Sequence, residues 1–265
     1  MTRDLRALLA SDAVTLGTWT QIAAPELVDL LGLNGFDFTI FDAQHGPFGV
    51  ETAERLSRAA DANDIAAAIR LPTPDPVAIM KALDAGIRHV VIPNVESADQ
   101  AARIVAATRF GPDGLRGACP CCRSGGHYIR DWQRYVIDEE GRTGAIALVE
   151  TAEGARNIRA IAGTEGLAAL MIGPFDLSVS MGHRGDWRHP EVTDAVARMV
   201  ETAGSTGLPV MMPLFAPTRD ECRVMLDDWT SRGVRCFVLG SDKILIADAF
   251  AGWSNALRPA NAAAR

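Results

Sequence analysis

Several side chains that can move protons or hold cations stand just beyond apolar runs in this sequence. Asp42 and His45 follow the run 36–41 in FDFTIFDAQHGP, Glu150 ends AIALVE, and Asp176 follows LAALMI in GPFDLS. Parallel α/β folds gather their chemistry at the C-terminal ends of the strands, because all those ends open onto one rim. Two carboxylates on neighbouring strands, Glu150 and Asp176, could share one hard or borderline cation, Mg²⁺, Mn²⁺ or Co²⁺, through oxygen donors. Asp176 would serve equally as a capping or first-turn acid of a helix opened by GPFDLS. Asp42 lies three residues before His45, near enough to hold one imidazole nitrogen and leave the other free for proton transfer. A lone histidine in a βα loop is more often a surface residue. Arg70 ends the run 65–69, and at a rim it needs a counter-charge, from an anionic ligand or a neighbouring acid.

The elements that must position these groups follow from the apolar pattern. Eight short runs, at 14–19, 36–41, 65–69, 89–92, 145–149, 167–172, 209–214 and 236–239, are nearly continuous in apolar residues, as strands buried on both faces are. Helical spacing marks 25–33, 50–63, 75–85, 97–108, 155–161, 190–206 and 218–232 between them. Pro76 suits a first helical turn and Ser97 a cap. Eight β/α alternations predict a single (β/α)₈ TIM-type barrel spanning 1–265. A doubly wound sheet of about six strands would have to discard two of the runs. Residues 1–12 read as a short helix. Residues 242–257 read as a C-terminal helix with Ile244, Leu245, Ala247, Phe250 and Trp253 apolar, and 259–265 as a frayed tail. The connection 110–144 is the longest and is rich in Gly, Arg and Cys, and long loops are often functional.

Composition sets the remaining bounds. The 265 residues are 48% hydrophobic and 22% charged, enough for a sizeable core. A net charge of −7 argues against a nucleic-acid partner. No apolar run reaches the ~20 residues of a membrane span. The N-terminus carries Asp4 and too short an apolar run for a signal peptide, which points to the cytoplasm. Five cysteines, at 119, 121, 122, 222 and 236, do not suggest a disulfide framework. CPCC with His127 could form a soft-metal site. No second CxxC or HxxxH accompanies it, so its thiols are expected to be incidental.

The stretches GTWTQ, FDFTIFDAQHGP, RLP, LVETAEGARN and IGPFDLSVSMG together resemble the HpcH/HpaI aldolases, class II metal-dependent pyruvate aldolases, from about Gly17 to Gly240. GPxDLS alone would be weak; the joint pattern is specific. The resemblance implies a (β/α)₈ barrel with the divalent metal on Glu150 and Asp176. It implies that His45, paired with Asp42, moves protons by way of a bound water, and that Arg70 contacts the ketone oxygen that becomes the enolate. In the turn Gly173, Pro174, Phe175, the amides of Phe175 and Asp176 would hold the carboxylate of a 2-oxo acid, as helix starts do. Trp19 would line the pocket. Asp84 would come from a neighbouring subunit of a homohexamer, a trimer of dimers with the C-terminal helix packed on a neighbour. The implied partners are a pyruvate-type 2-oxo acid and an aldehyde. Gln44 stands where members commonly have Glu, and Leu148 where they often have Gln. The RGACPCCRSGGHY loop is unusual in its cysteines, although Arg116, Gly117 and Arg123 fit. These departures bear on the substrate.

Other chemistries have less support. A Schiff-base aldolase needs a lysine inside the barrel. The chain has only Lys81, on a predicted outer helix, and Lys243, beyond the eighth strand. A related metal-dependent lyase acting on an acyl-CoA ester or another 2-oxo acid is an alternative. A non-catalytic 2-oxo-acid binder is another, although it would not require a proton shuttle.

Overall fold

The computed structural model describes residues 3–258, so the tail 259–265 expected to fray lies outside the described residues. Eight parallel strands close into a barrel in chain order, with the last hydrogen-bonded to the first. They are β1 (Thr15–Thr20), β2 (Phe38–Asp42), β3 (Ala66–Arg70), β4 (His89–Ile92), β5 (Gly144–Val149), β6 (Leu167–Ile172), β7 (Val210–Leu214) and β8 (Cys236–Ser241). Each coincides with one of the eight apolar runs, to within a few residues at its ends.

Two apolar layers follow from the two-residue period of a strand. Trp19, Phe38, Ile40, Ala66, Ala68, Val91, Ile146, Leu148, Ala169, Met171, Met211 and Val238 fill the barrel interior. Their alternates, among them Phe41, Ile69, Val90, Ala147, Leu170, Met212 and Phe237, face the surrounding helices. Continuing the inward series one step past Trp19, Ile40, Ala68, Leu148 and Met171 reaches Gln21, Asp42, Arg70, Glu150 and Gly173. Apart from His89, buried at the floor end of β4, the inward series is thus mainly apolar below its last layer and polar at the rim. At the opposite end, Leu5 and Leu9 of the helix Leu5–Leu9 join the inner cluster and plug the floor.

The helices Pro25–Leu33 and Pro190–Thr206 match their expected bounds, each with proline in the first turn. The segment expected to be one helix at 155–161 is instead two, Ala152–Arg156 and Ile158–Ala162, broken at Asn157. There the side chain turns to the Glu96 carbonyl and the Glu153 carboxylate, each at 2.8 Å. The long connection carries a 3₁₀ turn at Arg123–Gly125 and a helix, Trp132–Glu140, capped by Asp131.

That connection follows the helix Ala98–Thr108, which has already run back from the rim. Cys119, Cys121 and Cys122 therefore lie at the floor end, opposite the rim carboxylates. Asp84, the last residue of the helix Pro76–Asp84, lies at the same end and accepts from Arg116 at 2.9 Å. The C-terminal helix Asp242–Leu257 packs on β1 and β8. Its Ile244, Phe250, Trp253 and Leu257 are exposed. Among the described residues, no helix is long and apolar enough to cross a membrane.

Candidate active site

Register places the first pair. Asp42 and Arg70 are direct partners across β2 and β3. Arg70 grips the Asp42 carboxylate with two parallel hydrogen bonds, Nε to Oδ1 at 2.9 Å and Nη2 to Oδ2 at 2.7 Å. Trp19 lies under the guanidinium, 4.1 Å from its centre to the ring centroid, a favourable cation–π geometry. Asp42 is fully buried. Burial raises its pKa, but the hydrogen bonds and charge of Arg70, with help from Gln21 and the His45 N–H, more than offset this and hold the carboxyl below its usual range.

The Asp42–His45 contact in this structure runs through the main chain rather than the ring. The Asp42 carboxylate meets the His45 main chain, accepting its N–H at 3.2 Å and that of Gln44 at 3.1 Å. Among the described residues no hydrogen bond joins it to the imidazole. The turn is tight: the Gly46 N–H bonds the Asp42 carbonyl at 2.9 Å, and a Cβ at Gly46 would lie 2.1 Å from that oxygen. Only glycine fits there. Asp42 thus fixes the turn that presents an exposed His45 at the rim.

The second group is carboxylate-rich. Glu150 is 4% exposed, and Oε1 accepts the Asn94 N–H at 3.2 Å. Asn94 sits in the left-handed region, φ 54°, which asparagine tolerates better than most residues. Burial, then the negative charge of Asp176, raises the Glu150 pKa to about 7. Asp176 is exposed in the first turn of the helix Pro174–Ser180. Gly173 leaves room between them: a Cβ there would stand 2.7 Å from Glu150 Oε2. Two carboxylates, one buried and short of a cation, beside a bare glycine, suit a hard or borderline divalent ion. The Phe175 and Asp176 N–H groups precede the first internal bond of that helix, Leu177 N–H to the Gly173 carbonyl. They are therefore placed to face an anion.

Trp19, Asp42, His45, Arg70, Glu150, Gly173, Pro174, Phe175 and Asp176 thus share the rim, whereas Asp84 does not join them within one chain. Sequence reasoning missed Gln21, whose Nε2 donates to Asp42 Oδ2 at 2.8 Å. The signal was the two-residue period, since Gln21 follows Trp19 on the inward face. The Gln44 Oε1 atom is buried with no hydrogen-bond partner among the described residues.

Two other clusters lie apart. His183, His189 and Glu191 bring donor atoms within 4.8 Å of one another. Their imidazoles stack at 3.7 Å, His183 Nε2 is 3.1 Å from the Glu191 carboxylate, and His189 Nδ1 caps the Glu191 N–H. These contacts tie a loop to the start of Pro190–Thr206. In the cysteine loop, Cys122 Sγ contacts the Ser124 and Tyr135 hydroxyls.

Comparison with known proteins identifies the family and bears out the fold. The profile of the HpcH/HpaI aldolase/citrate lyase family matches residues 15–248. A 5-keto-4-deoxy-D-glucarate aldolase of Klebsiella pneumoniae is 34% identical over 237 residues, covering 89% of this chain and 90% of the relative. A solved HpcH/HpaI aldolase/citrate lyase family protein of Burkholderia cenocepacia superposes with a TM-score of 0.88 at 29% identity, covering 96% of this chain and 99% of that one. The citrate synthase SbnG superposes with a TM-score of 0.84 at 26% identity, covering 96% of each chain. The chain belongs to the HpcH/HpaI aldolase/citrate lyase family and is an aldolase.

Proposed function

We propose that this aldolase reversibly adds the enolate of a pyruvate-type 2-oxo acid to an aldehyde, giving a 4-hydroxy-2-oxo acid. The observation that carries the reading is Glu150, a buried carboxylate short of a cation, on the same rim as the Arg70 guanidinium. A divalent ion such as Mg²⁺, Mn²⁺ or Co²⁺, held by Glu150 and Asp176, would supply Lewis-acid polarisation of the 2-oxo acid.

The chain's own groups do the rest. The Phe175 and Asp176 amides, in the turn opened by Gly173 and Pro174, bind the substrate carboxylate. Arg70, held flat between Asp42 and Trp19, places its remaining N–H groups on the ketone oxygen. It stabilises the negative charge that develops there when the methyl proton leaves. His45, by way of a water, takes that proton and returns it to the alkoxide formed when the enolate carbon attacks the aldehyde. Cleavage is the reverse. In this reading Asp42 acts on His45 through the turn and on Arg70 directly.

The same reading includes a cytoplasmic homohexamer, a trimer of dimers. A partner would cover the exposed Phe250, Trp253 and Leu257, and Asp84 would reach a neighbour's site. Its position at the floor end supports a role outside its own rim. The glucarate-derived substrate in the relative's name supports a polar, acid-bearing aldehyde as acceptor.

The test is condensation of pyruvate with glycolaldehyde. Activity should disappear with EDTA and return with Mg²⁺, Mn²⁺ or Co²⁺. Full activity in EDTA, with a borohydride-trapped pyruvate adduct on Lys243, would move the enzyme to Schiff-base chemistry.

A further inference from the structure

The Asp42 carboxylate accepts five donors: Arg70 Nε and the Gln44 and His45 N–H groups on Oδ1, and Arg70 Nη2 and Gln21 Nε2 on Oδ2. A carboxylate has about four good lone-pair sites, so this one is saturated. Four of the five donors come from β2's own turn or from its partner on β3. Gln21 is different. It comes from the other neighbour, one residue past the end of β1, where Thr20 is paired with Phe41. Because a carboxylate can only accept, the Gln21 amide must present its NH₂ to Asp42.

Gln21 is itself held from a distant part of the chain. The Gln21 and Ile22 N–H groups both donate to Asp242 Oδ2, at 2.9 and 2.8 Å. Asp242 is 3% exposed and opens the C-terminal helix Asp242–Leu257. Its other oxygen accepts the Lys243 N–H at 2.7 Å. A continuous series of hydrogen bonds therefore runs from the start of that helix, through Asp242 and Gln21, to Asp42 and Arg70.

We propose that Gln21 is a positioning residue of the aldolase site: anchored by Asp242, it fixes the plane of the Asp42 carboxylate and so aims Arg70. The inference rests on the role given to Arg70 above. Gln21 neither gains nor loses a proton at neutral pH and acts only through its neighbours. Arg70 has five N–H bonds and spends two on Asp42. The direction of the others is set by the Asp42 plane, against Trp19 on one face. Without Gln21, Oδ2 is held by Arg70 alone, so nothing outside the fork braces that side of the plane and the fork can rotate. An aiming error of that kind weakens stabilisation of the developing enolate more than binding of the ground state.

Two substitutions test this, read by exchange of pyruvate methyl protons with deuterated water in the metal-loaded enzyme. Gln21→Leu keeps the bulk and removes the donor. It should lower the exchange kcat by about 10-fold to 100-fold while KM for pyruvate changes much less. Gln21→Glu sets a second carboxyl against Asp42. It can donate only when protonated, so its rate relative to wild type at the same pH should rise as pH falls from 8 to 6. A merely structural role would not produce that rescue. Asp242→Asn should lower the wild-type rate in the same way and add little in the Gln21→Leu background. If the wild type shows no metal-dependent exchange, the aldolase reading fails and takes this inference with it. If the wild type exchanges, and Gln21→Leu matches it while the Gln21→Glu ratio stays flat with pH, the positioning role alone is wrong.

Discussion

Both ends of the barrel bury an ion pair, Arg116 with its acids at the floor and Asp42 with Arg70 at the rim, but the rim also buries a carboxylate that has no salt bridge among the described residues. At the floor, Arg116 is buried between two acids, with Nη2 2.9 Å from Asp84 and Nη1 3.2 Å from Glu139, and its guanidinium lies 4.5 Å from the Phe110 ring centroid. At the rim, Glu150 is equally buried, yet its direct hydrogen bond among the described residues comes from one backbone N–H, and burial and the repulsion of Asp176 outweigh the attraction of Arg70. A buried charge with partners holds structure together. A buried charge without them is costly unless something arrives to compensate it. The contrast explains why the rim is read as a binding site and the floor as a structural joint. In the proposed function, the 2-oxo acid and its cation would complete the rim.

Five substitutions sharpen or break this contrast. The largest effect belongs to Asp176→Ala, which should abolish metal-dependent aldol activity while circular dichroism and melting stay close to wild type; an active variant in EDTA would break the rim assignment. His45→Ala should lower pyruvate proton exchange by roughly 10²–10⁴-fold. Titration should still show metal and pyruvate bound, because neither depends on the imidazole. Unchanged exchange would assign the base elsewhere.

The floor answers in stability instead. Arg116→Ala strands Asp84 and the buried Glu139, and urea unfolding should show a loss of about 3–5 kcal/mol. If Asp84 serves a neighbouring subunit, activity falls as well, and adding Asp84→Asn should cost no further activity.

The smallest effect is on pH dependence in the metal-free protein. Glu150 has a folded pKa of about 7, above its ordinary value of 4.5. Between those values the folded state binds more protons than the unfolded one, so stability falls as pH rises and the penalty is complete above pH 7. Glu150→Gln should therefore melt higher than wild type at pH 8 in EDTA, and the difference should vanish below pH 4.5. Equal melting at both pH values would mean that Glu150 is not held uncompensated.

Why some of this was legible in the sequence and some was not is a matter of range. Strands buried on both faces announce themselves locally, so the eight runs and the barrel were readable, and so were the rim positions of Asp42, Arg70, Glu150 and Asp176. The partner of Asp42 was not, because it depends on register between strands that are 28 residues apart at this point. Sequence proximity favoured the His45 ring; the sheet supplied Arg70. Gln21 was hidden for the same reason. The helix Trp132–Glu140 escaped notice because it buries only Glu139 and carries little apolar face. The long connection drew attention as a functional loop, but following a helix rather than a strand puts it at the floor.

The central claim is that Glu150 and Asp176 are the cation's protein ligands, and titration of Mn²⁺ into the metal-free protein tests it most directly. One Mn²⁺ per chain should bind at pH 8, with affinity falling about tenfold per pH unit below 7 as a proton competes for Glu150. Binding should be lost in both Glu150→Gln and Asp176→Asn. Stoichiometric Mn²⁺ retained at wild-type affinity in either variant would contradict the account.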